Sequence, residues 1–171
     1  MEKSKNNVMN LIHYSSEVIP KLEKREYSQS ELIWQAKPNG LWVSVEYDEN
    51  IPDNYNWNEW CKAQNFQIEE LKYAYEIILK QDANILHLKT PEEIREFSRK
   101  YPLKTRDWDA EHGTYQLRWD VVKKEYQGII ISPYQWDCRL AVDTCWYYGW
   151  DCSSGCIWDL ECVKEFIQPK I

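Results

Sequence analysis

A chain of 171 residues with 43% apolar and 29% charged residues has the make-up of one globular domain, residues 1–171, and excludes a disordered one. A net charge of −7 excludes a broad nucleic-acid-binding face, which needs clustered Lys and Arg, while a small basic pocket stays compatible with it. No apolar run approaches the roughly 18 residues of a membrane span, and "MEKSKNNVMNLIHYSS" carries no signal-peptide core, so a cytoplasmic protein with no membrane partner is expected.

"NLIHYSS" predicts a strand that runs from apolar Leu11 and Ile12 into His13 and polar residues. "SQSELIWQA" predicts a brief helix. "KPNG" is a turn, and "LWVSVE" after it predicts a strand with Leu41, Val43 and Val45 on one face and Trp42 and Ser44 on the other. "DNYNWNEWCKAQ" predicts a helix with Trp57, Trp60 and Cys61 on one side. "YAYEIILK" and "NILHLK" predict two strands joined as a hairpin across "QDA".

The clearest local signal is "TPEEIREFSRKY". Thr90 is placed to cap a helix, Pro91 to take its first position and Glu93 to complete a capping box, with Ile94, Phe97 and Tyr101 as the buried stripe. "TRDWDAEHG" reads as loop, and "YQLRWDVVKKEY" as a helix with Leu117, Val121 and Val122 inward. "GIIISP" is a wholly apolar strand, the kind found in the middle of a sheet. "GCIWDL" predicts another strand, and "ECVKEFIQPKI" closes the chain. The sum is an α+β domain of six or seven strands with three or four short helices.

Ten Trp and twelve Tyr stand against three Phe. Both rings carry a polar handle, so they suit walls that stack and hydrogen-bond, though they serve equally to fill a core short of Leu and Val. The six cysteines (61, 138, 145, 152, 156, 162) include no C-x-x-C. Their spacing matches no common zinc module, and reduced, mostly buried thiols are expected, with no metal site.

Three places carry candidate chemistry. His13, followed by Tyr14, Ser15 and Ser16 at a strand end, is placed to offer a ring nitrogen to a ligand hydroxyl, or to serve structure alone. In "KPNGLWVS", Trp42 and Ser44 point one way and either line a pocket or cover the sheet. "WYYGWDCSSGCIWDL", residues 146–160, gathers large rings, small residues and Asp151 around Gly149 and Gly155, which permit unusual backbone geometry or close approach by a ligand. The chain has no P-loop, G-x-G-x-x-G, G-x-S-x-G or H-E-x-x-H motif, and its histidines at 13, 87 and 112 are scattered.

The succession "IHYSS", "KPNGLWVSV", "WNEWC", "YQGIIISPY" and "WYYGWDCSSGCIW" resembles a family of small phage and bacterial proteins that are themselves similar to ADP-ribosyltransferases. The likeness spans roughly residues 10–160. It implies a strongly bent, split mixed β-sheet whose cleft holds NAD as substrate. It places His13 at the adenosine-side ribose with Tyr14 and Ser15 beside it, and Trp42 and Ser44 at the nicotinamide side. Tyr147, Tyr148 and Trp150 then supply wall rings, and Arg139 a pyrophosphate partner. The family pattern has a late Glu, which this chain lacks. Asp151 is the nearest carboxylate upstream of "CIWDL", and Ser154 falls at the Glu position.

Cleavage of the nicotinamide–ribose bond passes through an oxocarbenium-like state, as glycoside cleavage does. A carboxylate on the ribose 2′-hydroxyl speeds it if that bond tightens as charge develops. The resemblance therefore implies ADP-ribosyl transfer to a macromolecular acceptor of a host cell, protein or nucleic acid, with Asp151 and His13 as the catalytic pair. The missing Glu keeps two alternatives open: an inactive nucleotide- or nucleic-acid-binding module, and a phage or toxin-system interaction protein that presents its aromatics to a partner.

Overall fold

The computed structural model describes residues 9–29, 36–49, 51, 55–103 and 116–168. The brief helix expected over 28–36 falls largely on residues outside those ranges, as do the loop over 105–113 and His112. Seven strands form one curled, mixed sheet: β1 (Met9–Ser15), β2 (Leu41–Asp48), β3 (Tyr73–Leu79), β4 (Ile85–Leu88), β5 (Gly128–Ile131), β6 (Ser154–Ile157) and β7 (Val163–Ile167). Their order is β4-β5-β6-β2-β1-β3-β7, and only the β4–β5 pair is parallel. Among the described residues there are four α-helices, α1 (Trp57–Gln64), α2 (Pro91–Lys100), α3 (Trp119–Glu125) and α4 (Trp136–Arg139), with 3₁₀ segments at Ile68–Leu71, Val142–Gly149 and Leu160–Cys162.

The expected β3–β4 hairpin does not form. β7 takes the edge of β3 that a hairpin would have used, pairing from Glu76↔Ile167 to Leu79↔Val163. β4 instead crosses to the opposite edge of the sheet. There α2 and α3 separate it from β5 in the chain, and a connection of that length permits parallel pairing.

The sheet buries two faces of different character. Leu11, Leu41, Val43, Val45, Ile77 and Ile130 form an aliphatic cluster on one side. On the other, Ile129 and Ile131 meet α2, α3 and the 142–149 segment in a cluster rich in Trp and Tyr. β5 is buried on both faces, which is why "GIIISP" shows no polar alternation.

α2 follows its sequence signals closely. Thr90 Oγ1 accepts from Glu93 N–H at 3.2 Å, a cap worth about 1 kcal/mol. The Glu93 carboxylate reaches one residue further back than a capping box requires, to Lys89 N–H. Ile94, Phe97 and Tyr101 are buried as expected, each apolar burial worth about 2 kcal/mol. In α3 the inward residues include Val122, with Val121 packed at the margin. Its largest buried side chain is Trp119, which the aliphatic pattern had hidden.

Gly155 serves packing within the sheet, not approach by a ligand. It lies on β6 between Val43 of β2 and Ile130 of β5. A Cβ there would stand 2.6 Å from the Ile129 carbonyl oxygen and 2.8 Å from Ile130 Cγ1. The carbonyl belongs to an interior strand and has little freedom to yield. Gly155→Ala is therefore expected to destabilise the fold by about 2–3 kcal/mol, read as a lower denaturation midpoint with an unchanged slope. An unchanged midpoint would show that the strands separate more easily than this packing implies. Gly149, by contrast, faces only the Lys37 side chain, whose flexible end can move.

All six cysteines are free thiols, five of them buried. Burial pushes the Cys61 and Cys162 thiols up to about 11, so they stay protonated and unreactive at neutral pH. Among the described residues there is no metal-binding group of three or more His, Cys, Asp and Glu, and no helix is long and apolar enough to cross a membrane.

Candidate functional site

The site begins where two central strands part. β1 and β2 pair from Met9↔Asp48 to Ile12↔Ser44. Beyond that pair β1 continues on β3 to Ser15, while the start of β2 lies on β6. The opening widens into a cleft of about 330 Å³, within the range of small-molecule sites.

His13 stands at the parting point. Its Nδ1 lies 2.7 Å from the Trp42 carbonyl oxygen. A carbonyl only accepts, so Nδ1 carries the proton. Burial, the largest influence, lowers the pKa of His13 below the usual value of 6.5, against opposing effects from the Trp42 bond and Glu70. The ring is thus neutral at pH 7 and Nε2 holds a free lone pair. The residue offers an acceptor to a hydroxyl or amide donor.

The face of β2 supplies Trp42 and Ser44, which share one side of the strand as the alternation predicted and both line the cleft. Ser44 is buried, and its Oγ accepts from Trp57 N–H at 3.0 Å, which ties the first turn of α1 to the strand. Asn56 caps the same helix, accepting from Glu59 N–H at 2.9 Å. Trp57 thereby becomes part of the cleft wall, with Trp60 stacked on it at 5.0 Å.

The late segment closes the opposite side. Ser153 N–H donates to Tyr55 O at 2.7 Å, and Ser153 O accepts from Val45 N–H at 3.1 Å. Those bonds pin the turn, so that Trp150, Asp151, Cys152 and Ser154 reach the cleft. Trp150 meets Trp42 edge-on, with ring centroids 4.9 Å apart. Ser154 pairs directly with Ser44 across the ladder, and its hydroxyl donates to Cys152 O.

Seven of the residues singled out in the sequence therefore share one cleft: His13, Tyr14, Trp42, Ser44, Trp150, Asp151 and Ser154. Four others lie elsewhere. Ser15 follows the cleft residues on β1, and its Oγ accepts from Glu17 N–H. Tyr147 is fully buried in the aromatic core, where its hydroxyl accepts from Gln135 N–H, because the 142–149 segment turns that ring inward. Tyr148 points to solvent, 59% exposed, with the Arg139 guanidinium over its ring. Arg139 is outside the lining and lies 3.7 Å from Asp151, so it faces the carboxylate and is not a free cation in the cleft.

The sequence reading missed Lys37, Gln67 and Glu70, which line the same cleft. Lys37 places its ammonium over the Trp42 ring at 5.4 Å. Gln67 adopts a left-handed conformation (φ 45°, ψ 41°), uncommon for a residue of its shape, at the start of the 68–71 segment. Glu70 is held by Ser16, whose N–H and hydroxyl both donate to its carboxylate. That contact joins residues far apart in the chain, and no local pattern announces it.

No protein-family model, curated protein or solved structure matches this chain.

Proposed function

We propose that the chain is an ADP-ribosyltransferase-like enzyme that takes NAD as its substrate and passes the ADP-ribosyl group to a macromolecular acceptor. One observation carries this reading: five separate stretches, around residues 13, 42, 57, 70 and 151, converge on one cleft that combines indole rings, a neutral imidazole and two carboxylates. The parting of β1 from β2 supports the comparison with the bent, split sheet of those enzymes.

On this reading the indoles of Trp42 and Trp150 hold the ring that departs and keep competing water away. His13 Nε2 accepts from a ribose hydroxyl. Asp151 accepts from the 2′-hydroxyl next to the carbon that loses nicotinamide, a bond that strengthens as positive charge builds there. The pair of electrons in the cleaved bond leaves with nicotinamide, and the acceptor's nucleophile attacks the sugar carbon. Loss of the nucleophile's proton completes the transfer.

A second reading, a nucleotide-binding module without turnover, is favoured by the Arg139 guanidinium near Asp151 and by Ser154 at the position of the family's late Glu. Incubation of the purified protein with NAD labelled on the adenylate, in the presence of cell lysate, separates the two. Label in macromolecules together with free nicotinamide is expected. NAD affinity with neither product would establish the binding module, and no affinity for NAD at all would end both readings.

A further inference from the structure

A mostly buried carboxylate, Glu46, stands just behind the cleft beside Tyr14. In the β1–β2 ladder Asn10 pairs with Tyr47 and Leu11 with Val45, so Glu46 is passed over in a β-bulge. Bulges re-aim side chains, and they concentrate next to functional sites. Here Glu46 meets the hydroxyl of Tyr14, which donates to Oε1 at 3.0 Å. From the other side Asn58 Nδ2 donates to the same hydroxyl, also at 3.0 Å. Among the described residues Glu46 forms no ion pair.

Burial lifts the pKa of Glu46 above the ordinary carboxylate value, with hydrogen bonds from Ser44 and Tyr14 opposing it. Glu59 and Lys62, on α1, act on it in opposite directions. A carboxylate whose pKa is raised on folding favours the fold at low pH. That favour is lost as the pH rises from about 4.5 through the raised value. The fold therefore accommodates the protonated carboxyl better than the ionised one, and the bulge and the bond from Tyr14 give this side chain its fixed place.

We propose that Glu46 is a positioning residue: with Asn58 it clamps the Tyr14 hydroxyl from both sides and fixes that ring as a rigid wall of the cleft for the bound nucleotide. The bulge delivers the carboxylate to the hydroxyl, and α1, anchored to Ser44, delivers the amide. The nucleotide half of this inference rests on the function proposed above, whereas the clamp does not.

The test has two arms. By NMR, the Tyr14 hydroxyl proton is expected to exchange slowly enough to be observed in the wild type. It should persist in Glu46→Gln, whose amide oxygen still accepts, and vanish in Glu46→Ala. A wild-type hydroxyl in fast exchange with water overturns the clamp whatever the protein binds. In the second arm, calorimetric titration with NAD and with ADP-ribose should show affinity about tenfold weaker in Glu46→Ala and restored in Glu46→Gln. Thermal stability of Glu46→Gln at pH 7 should be equal to or above that of the wild type. A merely structural Glu46 would lower affinity and stability together, which overturns the positioning role. A protected hydroxyl in a wild type that binds neither nucleotide would uphold the clamp and end the NAD reading alone.

Discussion

Asp151→Asn is expected to lower nicotinamide release by about a hundredfold or more, while NAD affinity stays within a factor of about three. Asparagine has the size and one acceptor oxygen of aspartate, so the turn that bonds pin at Ser153 survives, as does the hydrogen bond to a ribose hydroxyl that the proposed function requires. It lacks the charge that would strengthen that bond as the sugar becomes cationic. The side chain is 24% exposed, partly withdrawn from water, where a charge acts more strongly than on an open surface. Arg139, 3.7 Å away, sets a limit: its cation draws on the same carboxylate and tempers the effect. Release of nicotinamide in a single-turnover assay is the measurement. A rate equal to that of the wild type would remove Asp151 from the chemistry and leave Glu70, on the same cleft, as the carboxylate to replace next.

The second large effect concerns the fold. Trp146→Ala is expected to cost about 4 kcal/mol, a large share of the 5–15 kcal/mol that holds a typical domain together. Trp146 is 2% exposed and packs edge-on against both Phe97 and Trp119, at centroid distances of 5.6 and 5.9 Å. Its Nε1–H donates to Ser98 Oγ at 2.7 Å, and Ser98 in turn donates to Ile94 O. The substitution therefore opens a cavity and also strips a buried hydroxyl of its donor. Trp119 and Trp150, whose Nε1 atoms have no partner among the described residues, lack that second contribution. Thermal denaturation should show a loss on the order of 10 °C, and Trp146→Phe should recover most but not all of it. A loss confined to a degree or two would mean that neighbouring rings close over the gap.

Much of this architecture was legible from local pattern. α2 is specified by its own cap, proline and apolar stripe, and β2 by the alternation that sends Trp42 and Ser44 one way and Leu41, Val43 and Val45 the other. Pairing was less legible. The short turn after β3 suggested a hairpin, but the competitor for that edge, β7, lies at the far end of the chain. Among the rings of the 146–150 run, Trp150 reaches the cleft while Tyr147 is buried and Tyr148 faces solvent. Residues so close in sequence share a composition, and only the path of a 3₁₀ segment with a non-helical Thr144 separates their fates. Glu46 and Glu70 escaped notice for a related reason. One depends on a bulge and the other on a bond to Ser16, and neither leaves a periodic trace.

The parting of β1 and β2 also governs when the cavity comes into being. One wall belongs to the first strand, and the facing wall comes from the turn before β6, so no nascent fragment that ends short of that turn can enclose it. Contacts between such distant positions form late on a folding route, after the local helices. A ribosome carrying a copy cut short of that turn therefore carries no enclosed cavity, which is withheld until the residues before β6 have emerged.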